Sequence, residues 1–286
     1  MIALAVALLL QASAPADAPA DVKTLDVWIT DSKGTAVRGL VPEEAAVVEN
    51  GVARNVTRLE EDRRPLTVAV IVDSSAPMGT FYRLHVVDSV VQLLNQLPSG
   101  SRFAVWSTGD RPQKIVDWGD DVAAASRALK RTAPQGGNTV LDAIVDAAAD
   151  LRQKEGERSA VVVVSGVGVG FSNYERRQVV EKAKVGGATF MVVQFDETGE
   201  PSQAAGEAVT RLDYDYVFDS LTRQSGGLRE LTMSAMGVPG ALVKVAQALK
   251  APYRLSYTTV PDLKERKVEV RVARPGVKVR TGPVRP

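Results

Sequence analysis

Two uninterrupted runs of β-branched and aliphatic residues, 66–72 and 160–164, and a third, mostly apolar one at 189–195 constrain this chain more than any other feature. A strand with one wet face alternates apolar and polar residues. A strand buried on both faces does not, and a parallel sheet covered by helices on each side is the arrangement that leaves no wet face. The segments between the runs have helical spacing. Over 80–97, Phe81, Leu84, Val87, Val90, Val91, Leu94 and Leu97 fall on one stripe, closed by Pro98-Ser99-Gly100. Further helices are predicted at 122–132, 140–153, 174–185, 214–225 and 239–250, and strands at 103–106, 114–118 and 228–232. This alternation predicts an α/β fold: a doubly wound, mostly parallel sheet over 65–250.

The flanks read differently. Leu25, Val27 and Ile29 lie on one face and Asp26, Trp28 and Thr30 on the other, and Asp31-Ser32-Lys33-Gly34 ends the strand. Asn50-Gly51 between two apolar stretches is a type I′ hairpin signal, because both central residues of that turn need positive φ. Beyond Pro252, Tyr253, Leu255 and Tyr257 share a face, followed by Val268, Val270 and Val272 and, after Pro275-Gly276, by Val277 and Val279. Neither flank has enough strands to stand alone. The N-terminal flank 21–64 and the C-terminal flank 251–286 are therefore expected to pair as a small β-sandwich, with the α/β domain inserted between them.

Composition removes several function classes. The 286 residues carry 35 Lys and Arg against 34 Asp and Glu, so no net field recruits nucleic acid. With no cysteine there is no disulfide, thiol nucleophile or zinc finger. Residues 2–10 are continuously apolar and are followed by Ala12-Ser13-Ala14, the pattern of a secretory signal, which places a signal peptide and spacer at 1–20. A buried N-terminal strand is the other reading of that run. The run is too short to span a membrane, so no integral membrane segment is expected in the mature chain. The expected location is extracytoplasmic, periplasmic or secreted.

The segment Val70-Ile71-Val72-Asp73-Ser74-Ser75-Ala76-Pro77-Met78 resembles the first motif of von Willebrand factor type A domains, a hydrophobic strand ending in Asp-x-Ser-x-Ser. Gly136-Gly137-Asn138-Thr139 resembles their second, a glycine-rich turn delivering a threonine, and Ser165-Gly166 stands where the family has Thr-Asp-Gly. The flanks resemble a bacterial secreted subfamily. The resemblance implies a metal-ion-dependent adhesion site, in which hydroxyls and carboxylates hold Mg²⁺ and leave one position for a partner's acid. Asp73, Ser75 and Thr139 match its ligands, whereas Pro77 replaces the second serine and Gly166 the aspartate, so the resemblance implies a degenerate site. Asp142 and Asp110 are the acids that would have to compensate.

Each feature also has a plainer reading. Asp73 is either a ligand remnant or a polar cap on loop amides. Thr139 with Asp142 is a helix N-cap with an acid in the first turn. Gly166-Val167-Gly168-Val169-Gly170 lacks dinucleotide-fingerprint spacing and reads as a loop over the sheet edge. His85 is the only histidine, and no Gly-x-Ser-x-Gly elbow accompanies it. The run from Asp213 to Asp219 reads as a solvated loop and helix start. Arg266, Lys267, Arg271, Arg274, Lys278 and Arg280 read as the outer face of a sheet.

The expected function is a non-enzymatic protein-binding module, adhesion or scaffold, acting without a cofactor. Its loops at 73–80, 136–139 and 166–173 offer Ser74, Pro77, Asn138, Ser165, Gly166 and Asn173 to a protein partner. The alternatives are Mg²⁺-dependent binding through a residual adhesion site, and an enzyme using the glycine loop or a hydrolytic serine.

Overall fold

In the computed structural model the apolar runs are strands with no wet face. β5 (Thr67–Val72), β8 (Ser159–Gly166) and β9 (Thr189–Phe195) lie side by side in parallel, and Val68 to Val72 are fully buried. The structure describes residues 21–154, 158–166, 168–184, 187–196, 205–250, 252–261 and 265–285; the expected signal segment lies outside them. With β6 (Arg102–Ser107), β7 (Gln113–Gly119) and β10 (Leu228–Thr232) these strands form a six-stranded sheet of order β10-β9-β8-β5-β6-β7. Only β7, at one edge, runs antiparallel. The order reverses at β5, whose chain continues to β6 on one side while β8 returns on the other. Such a reversal opens a crevice at the carboxyl ends of the strands, where open α/β sheets bind ligands.

Helices cover both faces. α1 (Gly79–Phe81), a π turn (Tyr82–Val86) and α2 (Val87–Asn95) pack with α3 (Val122–Arg131) and α7 (Val238–Lys250) on one side. α4 (Val140–Arg152), α5 (Arg176–Ala183) and α6 (Ala205–Ser225) cover the other. The π turn corrects the sequence reading. Its wider ring shifts the helical phase, so Tyr82 and Val86 enter the core while Leu84, assigned to the apolar stripe, is 70% exposed. α6 is also longer than expected: the acidic run lies inside it, where Asp215 and Asp219 pair with Arg229 and Asp213 with Arg176.

The flanks pair into a small sandwich. β1 (Asp21–Thr30) lies between β13 (Lys278–Thr281) and β11 (Tyr253–Thr259), with β4 (Val56–Glu61) beyond β11. β12 (Val268–Val272), β2 (Ala45–Glu49) and β3 (Val52–Arg54) form the second sheet. Asn50 and Gly51 have φ of 50° and 83°, as the I′ turn requires. Leu25, Val27, Ile29, Val47, Leu255 and Tyr257 meet in its core.

The opposite face of β1 is covered as well. Asp26 and Trp28 are buried too, because that face packs on the α/β domain: Trp28 Nε1 donates to the Ala248 carbonyl at 2.9 Å, and Arg285 bonds Asp26 at 2.6 Å. Arg280 likewise turns inward, to the carbonyls of Gly226 and Gly227. The chain's crossings into and out of the domain meet at Arg158. Its guanidinium donates to the carbonyls of Asp62 (3.3 Å), Arg64 (3.0 Å) and Leu249 (2.6 Å), beside the buried Asp62 carboxylate.

A carboxylate also sits in the sandwich. Glu49 is fully buried, bonded by Tyr257 (2.9 Å), Arg54 (2.9 Å), Arg266 (2.6 Å) and Thr259. Burial pushes its carboxyl upward, but the hydrogen bonds from Thr259, Arg266 and Tyr257 outweigh it and hold the group below the usual carboxylate range. A depressed pKa gives stability that is present above the unfolded-state value, about 4.3, and lost as pH falls through the folded one. Glu49→Gln is therefore expected to flatten the acid-side fall of the melting temperature. Melts of both proteins from neutral pH to about pH 3 check this; parallel acid limbs would refute it.

Candidate functional site

The register of the sheet brings three strand ends together. Val72 lies opposite Ser107 on β6 and Val164 on β8, so the next residues, Asp73, Thr108 and Ser165, share one crevice. Asp73 N donates to the Val164 carbonyl at 2.8 Å, which fixes the turn out of β5. The Asp73 carboxylate is 1% exposed and both its oxygens are occupied. Oδ1 accepts from Ser75 N at 2.9 Å and Ser75 Oγ at 2.7 Å, with Thr108 Oγ1 at 3.4 Å. Oδ2 accepts from Asn138 Nδ2 at 2.6 Å, Gly166 N at 3.0 Å and Ser165 Oγ at 3.4 Å. Burial pushes the Asp73 carboxyl up, and the bonds from Ser75, Gly166 and Ser165 oppose that shift.

Around this node the other polar groups are engaged as well. Ser74 Oγ accepts from the backbone N–H groups of Thr108 and Gly109, each at 3.1 Å. Thr139 occupies the N-cap position of α4, but the cap predicted for its hydroxyl is not made; Thr139 Oγ1 donates to the Thr108 carbonyl at 2.7 Å. Asn138 serves the helix start instead, its Oδ1 accepting from Val140 N at 2.9 Å. The hydroxyl of Thr139 is tethered to the end of β6, and the longer amide side chain beside it reaches the free N–H. Asp142 turns to the following loop, accepting from Ser172 Oγ at 2.5 Å and from the amide side chain and backbone of Asn173. Asp110, with φ of 56°, accepts from Gly137 N at 3.3 Å. Neither acid reaches Asp73 through any of these bonds.

Gly166 matters through what it lacks. A Cβ built there would lie 3.1 Å from Met78 Sδ and 3.3 Å from the Phe195 ring, so an aspartate fits only if both neighbours give way. Of the six loop positions named from sequence, Ser74, Asn138, Ser165 and Gly166 are buried and do not face solvent. Pro77 and Asn173 are exposed.

The layer above contains residues the sequence reading did not single out. Phe171 is 60% exposed and its ring lies on Gly137, where a Cβ would come within 2.2 Å of it. Val169 is exposed beside it, and Gly168 lies against Pro77. Backbone bridges from Asn138 to Gly109 and to Gly170 tie the loops into one surface. A bulky aromatic directly after a glycine run was the available signal for Phe171. Asp110, Gly137, Thr139, Asp142 and Phe171 border a shallow cavity of about 590 Å³ there. Under the same loop the Tyr214 hydroxyl is buried without a hydrogen-bond partner among the described residues, and burial raises its pKa well above the ordinary phenol value.

The features required by the enzyme alternatives are not joined. No hydrogen bond among the described residues links the His85 side chain to a serine or an acid, and α5 begins at Arg176, past Phe171, Ser172 and Asn173, rather than at the glycines. Among the described residues no three His, Cys, Asp or Glu side chains cluster to hold a metal, and no helix is long and apolar enough to cross a membrane.

Fold and site together define a doubly wound α/β domain whose polar node closes the carboxyl edge of its sheet. Residues 68–169 match the family model of the von Willebrand factor type A domain. Solved structures share the fold. The vWF domain of the type V pili tip protein Mfa5 from Porphyromonas gingivalis is 11% identical, with 64% of this chain and 94% of that one covered and a TM-score of 0.50. A von Willebrand factor type A protein from Catenulispora acidiphila is 11% identical over 91% of this chain and 72% of that one, with a TM-score of 0.52. Proximal thread matrix protein 1 from the mussel byssus is 13% identical at a TM-score of 0.52, over 75% of this chain and half of that one (50%). At such identities the likeness is one of fold. No curated protein gave a significant match. Domains of this family are adhesion or protein-interaction modules.

Proposed function

We propose that the chain is an extracytoplasmic protein-binding module that docks its partner on the loops at the carboxyl edge of the sheet, without a metal ion. The observation that carries this reading is the Asp73 carboxylate: it is buried, and both oxygens are bonded by donors of the protein itself. The residues do not fit Mg²⁺. A cation at Asp73 would face the amide hydrogens of Asn138 and the N–H of Gly166, Pro77 and Gly166 offer no side-chain oxygen, and the Thr139 hydroxyl is committed to Thr108. A carboxylate in this state holds loops together. Above it, exposed Pro77, Val169 and Phe171 offer apolar contact area of the kind that anchors interfaces.

The apolar run at 2–10 with its small-residue boundary supports an extracytoplasmic location, as does the fold shared with a pilus tip protein. The test is site-specific photo-crosslinking in the native host, with benzoylphenylalanine in place of Phe171 or Pro77, and Arg152 at the other end of α4 as control. Adducts at 171 and 77 that persist in EDTA are expected. Adducts only at 152, or adducts abolished by EDTA, would contradict the reading.

A further inference from the structure

A second cleft lies between the sandwich and the α/β domain, and none of its lining residues belongs to the loops around Asp73. It has a volume of about 430 Å³, within the range of small-molecule sites, which favour domain junctions. Its floor is apolar: the edge of Trp28, Ala36, Leu228 and Ala248. Its charged lining residues are Lys33, Lys244, Lys278 and Arg280 against the single acid Glu230.

That acid is already used, since Lys244 Nζ bonds Glu230 at 2.6 Å. The nearby Asp31 is turned to its own turn, accepting from Lys33 N and Thr35 N at 2.8 Å each. Lys33 and Lys278 are exposed and have no ion pair among the described residues. Arg280 stacks over Trp28, its centre 5.8 Å from the ring, and its hydrogen-bond partners are backbone carbonyls of Gly226 and Gly227 rather than a carboxylate. A half-buried guanidinium with no carboxylate hydrogen-bonded to it is costly to keep. Burial accordingly draws the pKa of Arg280 down, with Glu230 opposing.

We infer that this cleft binds a small organic acid, with its anionic head among Lys33, Lys278 and Arg280 and a short apolar body over Trp28 and Leu228. The anion supplies the charge that Arg280 lacks, and the apolar floor discriminates against bare inorganic ions. Because the cleft is walled by both the sandwich and the α/β domain, an occupant also braces the junction.

The test is calorimetric titration of the full chain with octanoate and with octyl phosphate, which separate a carboxylate head from a phosphate head, and with octanol as the neutral control. At least one of the two anions is expected to bind, octanol far more weakly. The double variant Lys33→Glu with Lys278→Glu, both exposed and unpaired and so compatible with folding, is expected to weaken that anion by about tenfold or more. Three results would each overturn the inference: no binding of either anion up to about 10 mM, octanol binding as well as the anions, or unchanged affinity in the double variant.

Discussion

Asp73→Ala is expected to lower the stability of the α/β domain by about 3 kcal/mol, and by the same amount in EDTA as in Mg²⁺. The carboxylate is the common acceptor for Ser75, Asn138, Ser165 and Gly166, which belong to three separate loops. Removing it leaves buried N–H and O–H groups without partners, and each such group costs more to abandon than its bond contributes. If Asp73 were instead a metal ligand whose charge is compensated by Mg²⁺, the loss would depend on the ion, because binding to the folded state alone adds stability by linkage. Urea unfolding of both proteins in the two buffers decides. Equal losses support the hydrogen-bonded node; a loss confined to the Mg²⁺ buffer would speak for a surviving metal site.

The second large effect is expected at the junction of the two domains. Asp62→Ala should cost about 3–5 kcal/mol, because it strands a buried guanidinium. Arg158 is 5% exposed, Asp62 is the carboxylate beside it, and its remaining bonds go to carbonyls. Burial pushes the Asp62 carboxyl upward, but Arg64 and the Arg158 charge prevail and hold it below the ordinary carboxylate range. The damage should be shared by both domains, since Arg158 ties the entering segment at Asp62 and Arg64 to the departing helix at Leu249. Chemical denaturation monitored separately in the sandwich and the α/β domain would show a joint shift of both transitions. A variant within about 0.5 kcal/mol of the parent would refute the assignment.

Much of this architecture was legible in the sequence because it is written in periodicity. The apolar runs ending at Val72, Val164 and Phe195 do not alternate with polar residues as a strand with one wet face would, and the α/β sheet follows from that. The Asn50-Gly51 turn was legible because so few residues tolerate its φ values. What was not legible depends on distant partners. Leu84 has the spacing of a core residue, and only a π turn, which leaves no mark in the apolar pattern, sends it to the surface. Arg280 reads as outward-facing because the Gly226-Gly227 backbone it meets lies far away in the chain, and the alternation of β1 does not announce that Trp28 meets the Ala248 carbonyl. Asp73 was found by its motif, and its resemblance to a ligand is real at the level of residue type. Its hydrogen-bond partners, above all Asn138 and the Gly166 amide, become visible only when three loops are brought together.

The central claim, that the carboxyl edge works through its loops and not through a cation, is tested most directly by thermal melts of the chain in EDTA and then in excess Mg²⁺, Mn²⁺ or Ca²⁺. A site present at a hundredfold excess of ion over its dissociation constant would add about 2.7 kcal/mol. Melting temperatures that coincide in all four conditions are the predicted result. An upward shift with any of the three ions that disappears in Asp73→Ala would contradict it.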